Sequence, residues 1–302
     1  MKKIFNVILF ALFCTSFAQA QGNKPFEFAY EGQTLQYEVA NGNEAMVSEQ
    51  QSAKISGDVK IPENVTFAGE KYTVTSIGVN AFGFCTGLTS VTIPNSVTTI
   101  GESAFAYCKG LTSITIPNRV TTIGEEAFRK CKGLINVTIS NSVTSIGEYA
   151  FLECKGLTNV TIPNSVTEIG KYAFPDCENL KSINVAKDNS HYCSENGVLF
   201  DITKKRLIQC PCGIKGNYAI PDGVTTIGEW AFASCTGLTS VTIPNSVTKI
   251  GEYAFYYCTG LTHLTIENAT PPEVRGGAFE GVSKNMTIYV PAESVEKYKT
   301  AE

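Results

Sequence analysis

The chain has 302 residues, of which 24 are lysine or arginine, 28 are aspartate or glutamate and only two are histidine, giving a net charge of -4. Because no cluster of basic residues stands out, the charge pattern favours neither a nucleic-acid partner nor an anionic-membrane patch. With two histidines, the chain also has few candidates for a general base or a metal ligand.

Residues 1–20 have the parts of a secretory signal. Two lysines precede an apolar run from Ile4 to Phe17, and Ala18-Gln19-Ala20 is a small-x-small cleavage site. The pattern predicts an exported chain that begins near Gln21 and resides outside the cell or on its surface, with the periplasm as an alternative. No later stretch approaches the ~18 apolar residues of a transmembrane segment.

Residues 21–75 do not follow the pattern that organises the rest of the chain. The segment Phe26–Val39 alternates aromatic and polar residues around Gly32, which predicts a hairpin. The end of a repeat array has to cover an open strand edge. We therefore predict an N-terminal β cap.

From residue 76 onward, one unit recurs with a period of 23 residues, through 76–179 and again through 215–266. Its first leucine is found at Leu88, Leu111, Leu134, Leu157, Leu180, Leu238 and Leu261. In the unit LTSVTIPNSVTTIGESAFAYCKG, the spacing LxxLxL predicts a half-buried strand that Pro94 ends. A second short extended segment follows, Gly101 interrupts it, and Glu102 is predicted to begin a helical turn. Each unit is thus predicted to form one coil of a solenoid.

One unit, residues 180–214, has 35 residues instead of 23. Val198–Phe200 and Leu207–Gln209 read as two strands around a turn, which predicts a hairpin-like enlargement of one coil. Such an insertion either binds a partner or only connects two sets of coils. Residues 267–302 are predicted to form a degenerate repeat and a C-terminal cap.

These units resemble the bacterial leucine-rich repeats of the BspA-like type found on surface proteins, over about residues 59 to 302. The segment NGVLFDITKKRLIQ and the ending TIYVPAESVEKYK resemble features of the same family. The resemblance implies a right-handed, curved leucine-rich repeat solenoid, with short parallel β-strands on its concave side and short helical turns. It also implies export, adhesion to host matrix proteins or other cells, and no catalytic residues. Relatives continue into a Trp-containing helix, whereas this chain ends at Glu302.

Seven cysteines occupy one position of the unit, three residues after its phenylalanine. They are Cys85, Cys108, Cys131, Cys154, Cys177, Cys235 and Cys258. Parallel Cβ vectors in neighbouring coils suit a disulfide poorly, and Val282 occupies the same offset in the last unit. Because free cysteine packs as a small apolar residue, we predict a buried column of free thiols.

Four further candidates, His191, Cys193, Cys210 and Cys212, fall in the enlarged unit and outside that column. A zinc site, a disulfide from Cys193 to Cys210 or Cys212, and unpaired thiols are all open on the sequence. The spacings HxC and CxC differ from the usual C-x-x-C pair. No metal or other cofactor is predicted.

No set of residues suggests catalysis. Acidic residues recur at one solvated position of the unit, namely Glu102, Glu125, Glu148, Glu229 and Glu252. Side chains stacked in this way repel one another rather than act as an acid and base pair, and no nucleophile with an oriented base is apparent. We therefore predict that the protein is not an enzyme.

The outward side chains of the predicted strands are the candidate ligand-binding residues, and we call this set the polar strand face. It consists of Ser90, Thr92, Ser113, Thr115, Asn136, Thr138, Asn159, Thr161, Ser182, Asn184, Ser240, Thr242, His263 and Thr265. A surface of hydroxyl and amide groups can bind an extended extracellular protein or a glycan at many weak points. Threonine also simply favours strands, so the alternative is a spacer of the cell envelope without its own ligand. Rim aromatics form a second candidate anchor: Tyr107, Tyr149, Tyr172, Trp230, Tyr253, Tyr256 and Tyr257.

Overall fold

Each 23-residue unit folds as one coil with a long and a short strand, and about nine coils stack into a solenoid. A computed structural model describes residues 24–300, so the predicted signal segment 1–20 lies outside the described residues. Equivalent residues of successive coils pair in register, as Ile100, Ile123 and Ile146 do. The predicted leucine-rich repeat fold is confirmed.

The strands are named in chain order. They are β1 (Phe26–Tyr30), β2 (Gln33–Val39), β3 (Glu44–Val47), β4 (Ser56–Lys60), β5 (Asn64–Phe67), β6 (Glu70–Ile77), β7 (Gly87–Thr92), β8 (Thr99–Ile100), β9 (Ser113–Thr115), β10 (Thr122–Ile123), β11 (Asn136–Thr138), β12 (Ser145–Ile146), β13 (Asn159–Ile162), β14 (Glu168–Ile169), β15 (Ser182–Val185), β16 (Tyr192–Glu195), β17 (Val198–Asp201), β18 (Arg206–Gln209), β19 (Gly216–Ala219), β20 (Thr226–Ile227), β21 (Leu238–Ile243), β22 (Lys249–Ile250), β23 (His263–Ile266), β24 (Glu273–Val274) and β25 (Thr287–Tyr289). Within residues 24–300 the helices are short: two 3-10 turns, Ser52–Lys54 and Ala292–Ser294, and α1 (Val295–Lys299).

Two walls run along the solenoid. The long-strand wall contains the sheets β4-β7, β9-β11-β13-β15 and β19-β21-β23-β25. The short-strand wall contains β6-β8-β10-β12-β14, which the cap strands β1, β2, β3 and β5 extend, and then the sheet β16-β17-β18-β20-β22-β24. Within the cap, β1 and β2 form the hairpin that the sequence predicts, with Tyr30 opposite Gln33.

Stacked phenylalanine rings fill the core between the walls. Phe105, Phe128 and Phe151 are fully buried, and their neighbouring ring centroids lie 5.3 Å apart with nearly parallel planes. This separation is close to the ~4.8 Å spacing of paired strands, so ring contact and strand pairing are compatible in every coil. Repetition of one unit therefore gives a continuous core.

The segment after each short strand consists of tight turns, in place of the helical turn predicted to begin at Glu102. Ser103 and Tyr107 have positive φ angles of 52° and 63°, a left-handed conformation that stops a right-handed helix. The backbone N–H of Phe105 donates to the carbonyl of Ala127 in the next coil at 2.8 Å. These turns thus bond from coil to coil rather than within one segment.

Glycine allows the coils to approach closely at the end of the short strand. A Cβ atom placed at Gly147 would lie 2.5 Å from the backbone nitrogen of Glu125 and 2.5 Å from the carbonyl carbon of Gly124. Both neighbours are backbone atoms of the preceding coil, so no side chain can move aside.

The enlarged coil contains the predicted hairpin, since β17 and β18 pair antiparallel with Phe200 opposite Leu207. The sequence did not reveal β16, which pairs antiparallel with β17 and makes the insertion three-stranded. All three residues Val198, Leu199 and Phe200 are fully buried. Leu199 packs into the core of the N-terminal coils, whereas Val198 and Phe200 pack into the core of the C-terminal coils. Strand β17 therefore forms a partition between two cores.

Candidate ligand-binding surfaces

The polar strand face follows the long-strand wall, and all of its residues are exposed or half-buried. In-register pairing arranges them in two rows. One row runs through Ser113, Asn136, Asn159 and Ser182, and the other runs through Thr115, Thr138, Thr161 and Asn184. The structure thus brings together residues that are 23 positions apart in the sequence.

The enlarged coil divides this face into two patches, because the sheet that contains β15 ends there and β19 begins the next one. The tip of its β16–β17 turn lies beside β15, where the backbone N–H of Ile183 donates to the carbonyl of Gly197 at 2.8 Å. A Cβ atom at Gly197 would lie 2.8 Å from the Cβ atom of Ser182, so the tip contacts the face itself. The N-terminal patch comprises the face residues of β4 to β15, and the C-terminal patch comprises those of β19 to β25.

Hydrogen bonds engage some of these polar groups already. Ser90 Oγ donates to Asp58 Oδ1 at 2.7 Å and Thr89 Oγ1 donates to the same oxygen at 2.9 Å, which lowers the pKa of the Asp58 carboxyl. Ser182 Oγ donates to Asn159 Oδ1 at 2.7 Å. The middle of the N-terminal patch, by contrast, is uncharged and open to a partner.

Sequence reasoning missed the cap strand at one end of the face and Tyr289 at the other. Asp58 and Lys60 of the cap strand β4 align with Ser90 and Thr92. At the other end, His263 stacks on Tyr289, with ring centroids 6.0 Å apart and planes 3° from parallel. The repeat-like segment that begins at Val59 is the signal that could have extended the prediction into the cap.

The cysteine column is buried as predicted, and the cysteines within residues 24–300 are free. Five of these thiols donate to the phenylalanine carbonyl of the preceding coil, as Cys131 Sγ does to Phe105 at 3.0 Å and Cys258 Sγ does to Phe232 at 2.8 Å. Cys235 Sγ donates instead to the carbonyl of Cys210 at 3.7 Å. Burial raises the pKa of Cys131 to about 12 and that of Cys258 to about 12. The thiols are therefore held protonated and act as packing groups.

Cys212 is buried beside the column, although the sequence does not give it the repeat position. Its Sγ donates to the carbonyl of Ala233 at 3.3 Å, and the neighbouring Cys235, together with burial, raises the pKa of its thiol. Cys210 occupies the position of the phenylalanine, because its N–H donates to Ala231 as the N–H of Phe232 donates to Ala254, both at 2.7 Å. The shortened turn between the two cysteines hides this equivalence in the sequence.

The four candidate residues of the enlarged coil do not converge. Cys193 is half-buried and its Sγ donates to the carbonyl of Asp201 at 3.2 Å, while His191 lies in an exposed position beside Ser190. Within the described part of the chain, no group of three or more His, Cys, Asp or Glu side chains could hold a metal ion.

The column of glutamates is solvated, apart from one residue that takes part in a local cluster. Glu229 Oε2 lies 3.2 Å from Lys171 Nζ and accepts a hydrogen bond from Tyr172 Oη at 3.5 Å. Burial, with the nearby Glu229 charge, raises the pKa of Tyr172 to about 12, so this hydroxyl remains a donor.

The rim aromatics form two groups rather than one line. Tyr107 stacks on Phe84, with ring centroids 4.4 Å apart. The larger group, which we call the aromatic ridge, crosses the enlarged coil and contains Tyr149, Tyr172, Trp230, Tyr253, Tyr256 and Tyr257. Trp230 lies at its centre, 5.2 Å from the Tyr172 ring and 5.0 Å from the rings of Tyr253 and Tyr256.

The chain is similar to a family of repeat proteins and to several solved structures. The family described as "BspA type Leucine rich repeat region" matches residues 75–196 and 210–301, in six copies. Among curated proteins, none matches the chain. Within residues 24–300, no helix has both the length and the apolar character needed to cross a membrane.

Solved structures of leucine-rich repeat proteins have the same fold. A leucine rich cell surface protein from Faecalibacterium prausnitzii is 25% identical, with 92% of this chain and 97% of that one covered and a TM-score of 0.55. A leucine-rich repeat protein from Bacteroides ovatus is 26% identical, with 89% and 81% covered and a TM-score of 0.55. The pneumococcal vaccine antigen PcpA is 17% identical, with 90% and 95% covered and a TM-score of 0.61, which supports the fold alone.

Proposed function

The chain belongs to the BspA-type leucine-rich repeat family, and we propose that it is an exported surface protein whose polar strand face binds an extended protein or glycan partner. Adhesion to host matrix proteins or to other cells is the role that follows. The similarity to a leucine rich cell surface protein and the apolar N-terminal segment support export.

The observation that carries the proposal is the pair of rows on the N-terminal patch. Thr115, Thr138 and Thr161 are exposed and uncharged, and they stand on consecutive paired strands. Their hydroxyls can donate and accept along an extended partner that lies across the strands. Each contact is weak, so affinity grows with the number of coils that the partner spans.

Three lysines introduced on this patch are expected to abolish binding without unfolding the protein. In the variant Thr115→Lys, Thr138→Lys and Thr161→Lys, long charged side chains replace the short hydroxyls that a partner would contact. We expect at least a roughly tenfold loss of affinity, about 1.4 kcal/mol, for whichever partner binds the parent protein. The measurement is binding to an array of purified matrix proteins and glycans, by surface plasmon resonance.

A matched control adds the same charge to the same three coils. Asn118, Asn141 and Asn164 are exposed turn residues, and their replacement by lysine leaves the polar strand face unchanged. The control should bind as the parent does. Equal affinity of the parent and the threonine variant would place the site elsewhere, and a parent that binds no probe would favour a spacer of the envelope.

A further inference from the structure

A cavity of about 160 Å³ opens on the short-strand wall, where the regular coils meet the enlarged coil. Tyr172, Tyr192, Arg206, Gln209 and Glu229 are among the residues that line it. It lies on a different wall from the polar strand face, so it is a separate site from the one proposed above. A shallower groove that shares Arg206 and Glu229 continues from it along the wall.

The cavity exists because strand pairing stops at this point. Strand β14 is the last of one sheet and β16 is the first of the next. The backbone N–H of Ile169 in β14 donates to Tyr192 Oη at 3.0 Å instead of to a neighbouring strand. Cys210 also occupies the position of a phenylalanine, so the ladder of rings stops at Phe174 and leaves space beside it.

Gln209 presents an unpartnered acceptor to this cavity. Its side chain is only 5% exposed, and its Nε2 donates to the carbonyls of Cys210 and Ala231 at 3.1 and 3.5 Å. The other end of the amide, Oε1, accepts no hydrogen bond from residues 24–300. An amide oxygen at the surface of a cavity can accept a hydrogen bond, and a ligand hydroxyl would donate one.

Arg206 supplies a cation that has no acidic partner. Its side chain is exposed at the mouth of the cavity, and it forms no ion pair in the part of the chain that the structure describes. The nearby carboxylate of Glu229 is already paired with Lys171 at 3.2 Å. The guanidinium is therefore available to a carboxylate of a ligand, which it can bind through two parallel hydrogen bonds.

Aromatic rings form the remaining side of the site. Tyr172 lines the cavity and is the member of the aromatic ridge that borders it. The face of such a ring carries partial negative charge and attracts the C–H groups on one face of a saturated ring. Beyond Tyr172, Trp230 and Tyr253 continue the ridge.

From these groups we propose that the cavity binds a pyranose ring that carries a carboxylate, as one acidic sugar residue of a glycan. Arg206 holds the carboxylate, Gln209 Oε1 accepts a hydrogen from a sugar hydroxyl, and Tyr172 lies against the ring. The volume suits a single ring rather than a larger ligand. Further sugars of the chain extend along the aromatic ridge.

An acidic peptide is the competing ligand chemistry, and the geometry favours the sugar. Peptides that bind at a broken sheet pair their backbone with an open strand edge. On that edge, the N–H of Ile169 already donates a hydrogen bond to Tyr192 Oη. The side chains of Arg206 and Gln209, which line the cavity, suit carboxylate and hydroxyl groups.

The fluorescence of Trp230 reports binding directly, because it is the only tryptophan of the chain and its ring lies 5.2 Å from that of Tyr172. When glucuronic acid is titrated into the intact protein, the fluorescence of Trp230 should change and should reach a plateau at high sugar concentration. Glucose, which has the same ring without the carboxylate, should bind at least about tenfold more weakly. Calorimetric titration of the same sugars measures affinity independently of the fluorescence signal.

Two matched substitutions test the assignment of residues. Arg206→Gln should lower the affinity for glucuronic acid at least about tenfold. Lys204→Gln removes the same charge from a neighbouring exposed residue and should leave that affinity unchanged. Circular dichroism confirms that both variants are folded. The lysine variant of the polar strand face should also bind glucuronic acid normally, which separates this site from the proposed function.

Several outcomes would overturn the proposal. Two calorimetric results exclude the acidic sugar: no binding of glucuronic acid, or equal affinities for glucuronic acid and glucose. Unchanged affinity in Arg206→Gln would remove the carboxylate assignment. Tighter binding of N-acetyl-aspartate than of glucuronic acid would assign the cavity to acidic peptides instead.

Discussion

Replacement of Gly147 by alanine is expected to lower the free energy of unfolding by about 3 kcal/mol, the upper end of the usual cost of overpacking. The added methyl would lie 2.5 Å from backbone atoms of Glu125 and Gly124 in the preceding coil. Relief requires the coils to separate, which lengthens strand hydrogen bonds and ring contacts on both sides of the site. Urea denaturation followed by circular dichroism measures the change.

Gly276→Ala is the matched control for that substitution. No atom lies within 4 Å of a Cβ placed at Gly276, and this residue does not have a positive φ. The added methyl should therefore leave stability unchanged or raise it slightly, by restricting the unfolded chain. Similar losses in the two variants would show that close approach of the coils is not what requires glycine at Gly147.

The second large effect is a steep loss of stability in alkaline solution. A buried thiol remains protonated in the folded protein up to a pH near its raised pKa, whereas in the unfolded chain it ionises near pH 9.0. Its contribution is therefore fully present below about pH 9 and is lost as the pH rises towards about 12, the pKa of Cys131 and of Cys258. At about pH 11, two units above the unfolded pKa, each thiol should cost about 2.7 kcal/mol.

The double variant Cys131→Val and Cys258→Val isolates this effect. Valine suits the position, because Val282 occupies it in the last coil and packs against the C-terminal core, which contains Cys258. Packing differences affect the variant at every pH and cancel when its stabilities at pH 8 and pH 11 are compared. The parent should lose about 5 kcal/mol more than the variant over that range, by chemical denaturation. Equal losses would show that these thiols do not govern the alkaline transition.

The sequence was sufficient to predict the regular coils. A leucine, a phenylalanine and a cysteine that recur every 23 residues each define a buried column, and the alternation around Val91 separates inward from outward strand residues. The turn after the short strand was predicted wrongly as helical. Local propensity does not reveal that the N–H of Phe105 bonds to the next coil, because that bond depends on a neighbour 22 residues away.

The enlarged coil was predictable only in part. Apolar runs revealed β17 and β18, but the polar strand β16 and the position of the hairpin tip depend on how the insertion packs against β15. The cavity was hidden for a similar reason, because Tyr172 and Glu229 meet there although they lie 57 residues apart in the chain. Residues that converge only through coil stacking leave no motif in the sequence.

Strand β17 affects how cooperatively the protein unfolds. In a linear array, an unfolding event spreads from coil to coil in proportion to the coupling between neighbours. Here Leu199 belongs to one core while Val198 and Phe200 belong to the other, and neither wall has a strand pair that continues past this coil. Cooperativity is therefore interrupted at this one strand. We expect the solenoid to unfold as two units that share strand β17, each with a core of its own.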